Sequence, residues 1–162
     1  MKASDHPAKE GRMNKPLKPM MGAGELNGLL AKVFPQLNRD RQDYVVTEVF
    51  PGGCTIRLNA GYEHLRPGDT VSGVALFALA DLGGYACVLS HAGPDALSVT
   101  TNISINFMRK AGPGPVDGRC RILKLGRSLM VYDIEMTAGP DGEIVAHATG
   151  TYSIPPKSIA VK

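Results

Sequence analysis

Apolar positions recur along this chain in two rhythms, one helical and one strand-like. Between Glu25 and Leu37, residues Leu26, Leu29, Leu30, Val33 and Phe34 return every three or four positions, which predicts an amphipathic helix stopped near Pro35. Residues 44–50 (YVVTEVF) and 54–60 (CTIRLNA) flank Pro51, Gly52 and Gly53 and read as a hairpin or a bent strand pair. Residues 61–72 are rich in turn formers. The run 73–89, GVALFALADLGGYACVL, is apolar at nearly every position, so it reads as a helix covered on most sides, with Gly93 and Pro94 as its stop. Beyond it the period drops to two. In 97–108 (LSVTTNISINFM), alternation places Val99, Thr101, Ile103, Ile105 and Phe107 on one face and Thr100, Asn102, Ser104 and Asn106 on the other. Residues 116–126, 128–138 and 143–154 follow as strands. Their short connections favour antiparallel neighbours, so the four strands are expected to form a meander.

Together these elements make an α+β chain in which a curved antiparallel sheet of five or six strands wraps around a central helix, the hotdog fold. A sheet covered on one face leaves its other face and its edges wanting partners, so a homodimer is expected, assembling further into a homotetramer. The expected organisation is a mobile basic tail over 1–21, one domain over 22–156 and a short tail over 157–162.

Charge narrows the choice of partner. The net charge is +3 over 162 residues, and Lys2, Lys9, Arg12, Lys15 and Lys18 against Asp5 and Glu10 account for all of it. The folded body is therefore neutral and offers no electrostatic case for nucleic acid. The run 73–89 is the one membrane candidate, but it is short, carries a charge and a glycine pair, and sits mid-chain in a chain that is 20% charged. No membrane partner is expected, and with residues 1–20 too polar for a signal peptide a cytoplasmic location is the expected default. Cys54, Cys87 and Cys120 form an odd set without C-x-x-C spacing, which fits reduced, buried thiols. His6, His64, His91 and His147 are scattered without metal-ligand spacing, so no metal site is expected. His64 and His147 read as satisfied loop and strand residues.

Asp81 is the one charge in the run 73–89. An ionised carboxylate in an apolar helix is costly unless it is paired, protonated or used. The surrounding residues carry a resemblance that bears on this choice. RPGDTVSGVALFALADLGGYA, then VTTNISINFMRKAGPG, then VAHATGTY, over roughly 45–155, resemble the hotdog-fold acyl-CoA thioesterases of the phenylacetyl-CoA type. The resemblance implies that Asp81 is the catalytic carboxylate and Gly73 the first glycine of the turn opening the central helix. It also puts Thr100 near a hydroxyl that orients water or carboxylate, and Arg109 and Lys110 where the strand exits. Three positions depart from the pattern: Ser72 stands where the family often has His, Val74 where it has a second Gly, and Arg66 where it often has Asn. The backbone donor survives the first two changes.

The implied chemistry is hydrolysis of a CoA thioester to free acid and coenzyme A, with no cofactor beyond the coenzyme A of the substrate. A thioester carbonyl gains negative charge when attacked, and a free N–H at a helix N-terminus is a ready donor for it. Ser72 suits the N-cap, which leaves Gly73 in the first turn with its N–H unclaimed. Asp81 would either activate water as a general base or attack the carbonyl itself. Eight residues of helix separate Gly73 from Asp81, about 12 Å, too far for one thioester carbon to meet both on one chain. A cleft shared between two chains, with antiparallel central helices, removes that difficulty. Arg66, Ser72, Val74, Asn102, Arg109, Lys110 and Arg127 complete the substrate-binding candidates, the basic ones for phosphate. As an ordinary strand row, Asn102, Ser104 and Asn106 read as a solvent or inter-dimer face. Two rival functions are a non-catalytic acyl-CoA-binding module and a hotdog hydratase or dehydratase. Ala86 argues against the second, whose family places a His five positions after the Asp.

Overall fold

A computed structural model of the chain describes residues 17–39 and 41–156. Helix α1 (Ala23–Val33) begins where the Glu25 carboxylate accepts the Gly22 N–H at 3.1 Å, and it buries Leu26 and Leu30. Phe34 leaves the helix ahead of Pro35. Strands β1 (Tyr44–Phe50) and β2 (Gly53–Ala60) form the expected hairpin. The short strands β3 (Leu65–Arg66) and β4 (Thr70–Val71) pair within the loop ahead of helix α2 (Gly73–His91). Then come β5 (Val99–Phe107), β6 (Gly114–Leu125), β7 (Leu129–Ala138) and β8 (Glu143–Ser153).

Six of these strands form one antiparallel sheet in the order β1-β2-β6-β7-β8-β5, and each of the six touches α2. The expected curved sheet around a central helix is therefore present. The four-strand meander is not. β5 pairs with β8 instead of β6, so β1 and β5 lie at opposite edges and the strands between them surround the helix. On α2 every residue from Leu82 to His91 is buried, whereas Val74 and Phe77 in its first half are exposed. Among the described residues this is the one helix long and apolar enough to span a bilayer, and the sheet buries it.

The two sheet edges differ. The Asn27 side chain donates to Val46 O at 2.8 Å and accepts from Val46 N at 3.0 Å, and Asn38 does the same for Tyr44 at 2.7 and 3.0 Å. Two side-chain amides thus occupy the outward backbone groups of β1, as a neighbouring strand would. β5 has a strand on one side only.

The alternation expected along β5 also needs correction. Its register with β8 slips between Thr100 and Asn102, leaving Thr101 as an extra residue. This bulge turns Thr100 inward, onto the face that carries Ile103 and Ile105, while Val99 and Phe107 are exposed. Residues 1–16 of the expected basic tail, and all of 157–162, lie outside the described residues. Leu17 and Met20 belong to the body: Gly52 N–H donates to Leu17 O at 2.8 Å and Met20 N–H to Ser90 O at 2.7 Å. Cys54, Cys87 and Cys120 are free and buried, as their composition suggested, with Cys54 Sγ 3.4 Å from Cys87 Sγ. His64 and His147 are satisfied as expected, His64 Nδ1 accepting from Gly61 N–H at 3.0 Å and His147 Nε2 lying 3.3 Å from Asp133 Oδ2.

The helix comes close to the sheet because glycines face each other across β7. A Cβ on Gly84 or Gly150 would strike the Tyr132 ring, and a Cβ on Gly83 or Gly118 would lie 2.6 or 2.7 Å from Ile134 Cδ1. Tyr132 is held on both sides and cannot yield. Gly84→Ala is therefore expected to destabilise by about 2 kcal/mol, overpacking outweighing the ~1 kcal/mol gain in helix propensity. Gly28→Ala, where a new Cβ meets nothing within 4 Å, is expected to stabilise by about 0.5–1 kcal/mol. Urea unfolding of the two variants checks this, and equal midpoints would refute the wedge.

Candidate active site

The first half of α2 carries the two groups that the sequence singled out. Ser72 is the N-cap: its Oγ accepts the Ala75 N–H at 3.2 Å, and its own N–H donates to His64 O at 2.8 Å. Gly73 is thus the first helical residue, and among the described residues its N–H has no acceptor. An added Cβ at this position would lie 3.3 Å from the Phe107 ring, so glycine keeps the backbone open beside that ring. A cleft of about 400 Å³ opens here, lined by Arg66, Gly73, Leu76, Phe107, Arg109 and Lys110 among others. Val74, 82% exposed, stands beside it.

Asp81 lies about two turns further along the same helix and is partly exposed. Its Oδ1 accepts the Thr100 hydroxyl at 2.5 Å and the Tyr152 hydroxyl at 2.7 Å. The Tyr152 hydroxyl also lies 2.9 Å from the Asp81 carbonyl oxygen. Thr100 and Tyr152 sit directly opposite each other on β5 and β8. Burial, with the nearby Asp81 charge, raises the Tyr152 phenol well above the ordinary tyrosine range, so it remains a donor.

The candidate residues therefore separate into groups. Arg66, Ser72, Gly73, Val74, Arg109 and Lys110 gather at the N-terminus of α2. Asp81 and Thr100 meet further along. Asn102 is exposed on β5, beyond the bulge and away from Thr100's face. Arg127 lies in a different cleft, of about 770 Å³, with Ala92, Leu125 and Ile154. Arg109 makes an exposed ion pair with Glu143 at 3.2 Å.

Residues 68–145 match the family model described as the thioesterase superfamily. A solved structure of a candidate thioesterase from Silicibacter sp. is 44% identical, with a TM-score of 0.78, over 88% of this chain and 97% of that one. The chain belongs to the thioesterase superfamily. A solved phenylacetic acid degradation protein from Thermus thermophilus is 25% identical, with a TM-score of 0.60, over 69% of this chain and 93% of its own. A candidate esterase of Thermoplasma acidophilum is 28% identical over 112 residues, 69% of this chain and 83% of that protein. These likenesses support a hydrolase with thioesterase activity and agree with the six-stranded fold.

Within this thioesterase-superfamily chain, sequence reasoning missed Tyr152 at the Asp81 carboxylate. The available signal was its place in the alternating row Ala146, Ala148, Gly150, Tyr152 of the last strand, where three small residues precede one large polar ring. Gly150 admits Tyr132, and Tyr152 follows on the same face.

Proposed function

We propose that the protein is an acyl-CoA thioesterase of the phenylacetyl-CoA type, working as a homodimer in the cytoplasm. The observation carrying this reading is a helix that presents an unclaimed N–H at Gly73 and, about 12 Å along it, a partly exposed carboxylate at Asp81 held by a hydroxyl. As general base, Asp81 takes a proton from water while the oxygen of that water bonds to the thioester carbon. The carbonyl oxygen, now negative, accepts the Gly73 N–H at the positive end of the helix. When the carbonyl re-forms, the C–S bond breaks and the coenzyme A thiolate takes up the proton. Direct attack by Asp81 is the alternative route, its mixed anhydride then being hydrolysed. Neither route calls for a metal or a cofactor, coenzyme A entering as part of the substrate.

Arg66, Arg109 and Lys110 line the cleft beside Gly73 and suit the phosphates of coenzyme A. Arg127 lies in another cleft, so we do not assign it to the same phosphates. Likeness to the phenylacetic acid degradation protein supports an aryl acyl group. The dimer reading rests on the 12 Å separation and on the unequal edges: asparagine amides occupy β1, while β5 is open and flanked by exposed Val99, Phe107 and Met108. Pairing of two copies there brings the exposed half of α2 to the interface. The polar outer row of Asn102, Ser104 and Asn106 then remains for assembly into a homotetramer.

A thiol-release assay over short, medium, long and aryl acyl-CoAs tests the activity. Asp81→Asn is expected to lower kcat more than about tenfold, or 1.4 kcal/mol, with folding intact. Binding without thiol release by the wild type would instead identify a non-catalytic acyl-CoA-binding module. For Arg109→Ala and Lys110→Ala, KM is expected to rise on CoA esters and to rise less on a pantetheine thioester lacking the nucleotide. Equal effects on both substrates would remove these residues from coenzyme A recognition. Shared sites make a third prediction. Asp81→Asn and Gly73→Pro, each inactive alone, should recover about half the wild-type activity per heterodimer, because one of two sites escapes both lesions. Verified heterodimers without activity would refute the shared site, provided that Gly73→Pro folds.

A further inference from the structure

The Asp81 carboxylate is held from one side. Both the Thr100 and Tyr152 hydroxyls donate to Oδ1, and among the described residues no group donates to Oδ2. The terminal torsion of an aspartate is broad and nearly two-fold, so unaided it would present either oxygen over a wide arc. Two hydroxyls on one oxygen end that freedom. Resting on the thioesterase reading above, we infer that Tyr152 is a positioning residue that, with Thr100, occupies Oδ1 and leaves Oδ2 as the oxygen meeting the reacting atom.

A plain structural role for Tyr152 has its counterpart next door. Tyr132 is also buried, also reaches the α2 backbone, and donates to Ala80 O at 3.0 Å; this satisfies its phenol without touching a carboxylate. Tyr152 lies 2.9 Å from the next carbonyl along, that of Asp81, which would satisfy it equally. It is closer still to Oδ1, at 2.7 Å, where a charged acceptor makes the stronger bond. Its ring is held between Tyr85 and Tyr132, with both centroids 6.1 Å away, so the hydroxyl has little room to swing aside. A phenylalanine would fill this space as well. Packing therefore accounts for the ring, and the carboxylate accounts for the hydroxyl.

The bulge in β5 is part of the same device. Without the register slip at Thr101, the pairing of Asn102 with Thr151 would continue to Thr101 opposite Tyr152, and Thr100 would turn outward. With it, Thr100 and Tyr152 are direct cross-strand partners, both aimed at one oxygen from adjacent strands. The two hydroxyls come from the sheet, and Asp81 shares a face of α2 with Val74 and Phe77, the exposed residues of that helix.

The test compares wild type, Tyr152→Phe, Tyr132→Phe, Asp81→Asn and the double variant Asp81→Asn with Tyr152→Phe. Thiol release from the best acyl-CoA substrate is measured, together with thermal unfolding. Tyr152→Phe is expected to lower kcat about fivefold or more while KM stays within about twofold, since the lost contact orients the reacting group and not the substrate. Tyr132→Phe removes a comparable buried phenol and is expected to hold kcat within about twofold of wild type, whatever it does to stability. In the Asp81→Asn background, Tyr152→Phe is expected to change the residual rate by less than about twofold, because it acts through Asp81. A smaller kcat loss than fivefold, or an equal loss with and without the Asp81 carboxylate, overturns the inference. A wild type inactive on every acyl-CoA refutes the thioesterase reading and the inference with it. An active wild type with an unaffected Tyr152→Phe overturns the inference alone.

Discussion

The structure depends on how closely one helix can approach one strand. Gly83 and Gly84 on α2 face Gly118 and Gly150 on the sheet, and Ile134 and Tyr132 of β7 fill the space between. A side chain at any of the four positions would push the layers apart or displace a ring that has nowhere to go. The Tyr132 ring lies against the same helical turn, where Ala80 O satisfies its hydroxyl. Asp81 is the next residue along. Its height above β5 and β8 is therefore set by packing that involves no polar chemistry of its own, and this brings two hydroxyls within 2.7 Å of its carboxylate.

That packing also determines which surfaces are left open. A helix touched by all six strands has little exposed surface, and on α2 it lies in the first half, around Val74 and Phe77. The sheet that surrounds it must end somewhere, and its two ends are treated differently. At β1, Asn27 and Asn38 offer their amides to the edge backbone, so a second strand finds those groups taken. At β5 no such cap is found among the described residues, and β5 runs beside the exposed half of α2, Phe107 near Gly73 and Thr100 on Asp81. The open edge, the open half of the helix and the Asp81 carboxylate thus share one side of the molecule.

Much of this was legible in the sequence, and what was missed has a common cause. Local signals located α2 from its Ser72 cap to its Gly93 stop, and a lone carboxylate in an apolar run marked Asp81. What the sequence left unseen depends on pairings between distant residues. Turn length suggested that β5 neighbours β6, yet β5 lies against β8, the last strand. Strict alternation put Thr100 with Asn102, and only register against β8 reveals the extra Thr101. Tyr152 was not singled out, because its partner lies 71 residues away. Arg127 resembled Arg109 and Lys110 in charge, but it lines a different cleft.

The spacing on α2 carries a geometric consequence for the proposed dimer. Two helices crossing antiparallel about a two-fold axis pair residues symmetrically around the one at the crossing. For Gly73 of one copy to face Asp81 of the other, the crossing must fall midway between them, at Phe77. Four residues separate Phe77 from each, so all three lie within about 80° of one another around the helix. Phe77 is an apolar ring, 42% exposed, in the half of the helix that the sheet does not fully bury. Facing its own copy across the axis, it would lose that exposure and exclude water from between the two sites. The residue that looks misplaced on a single chain is the one that the two-fold arrangement needs apolar.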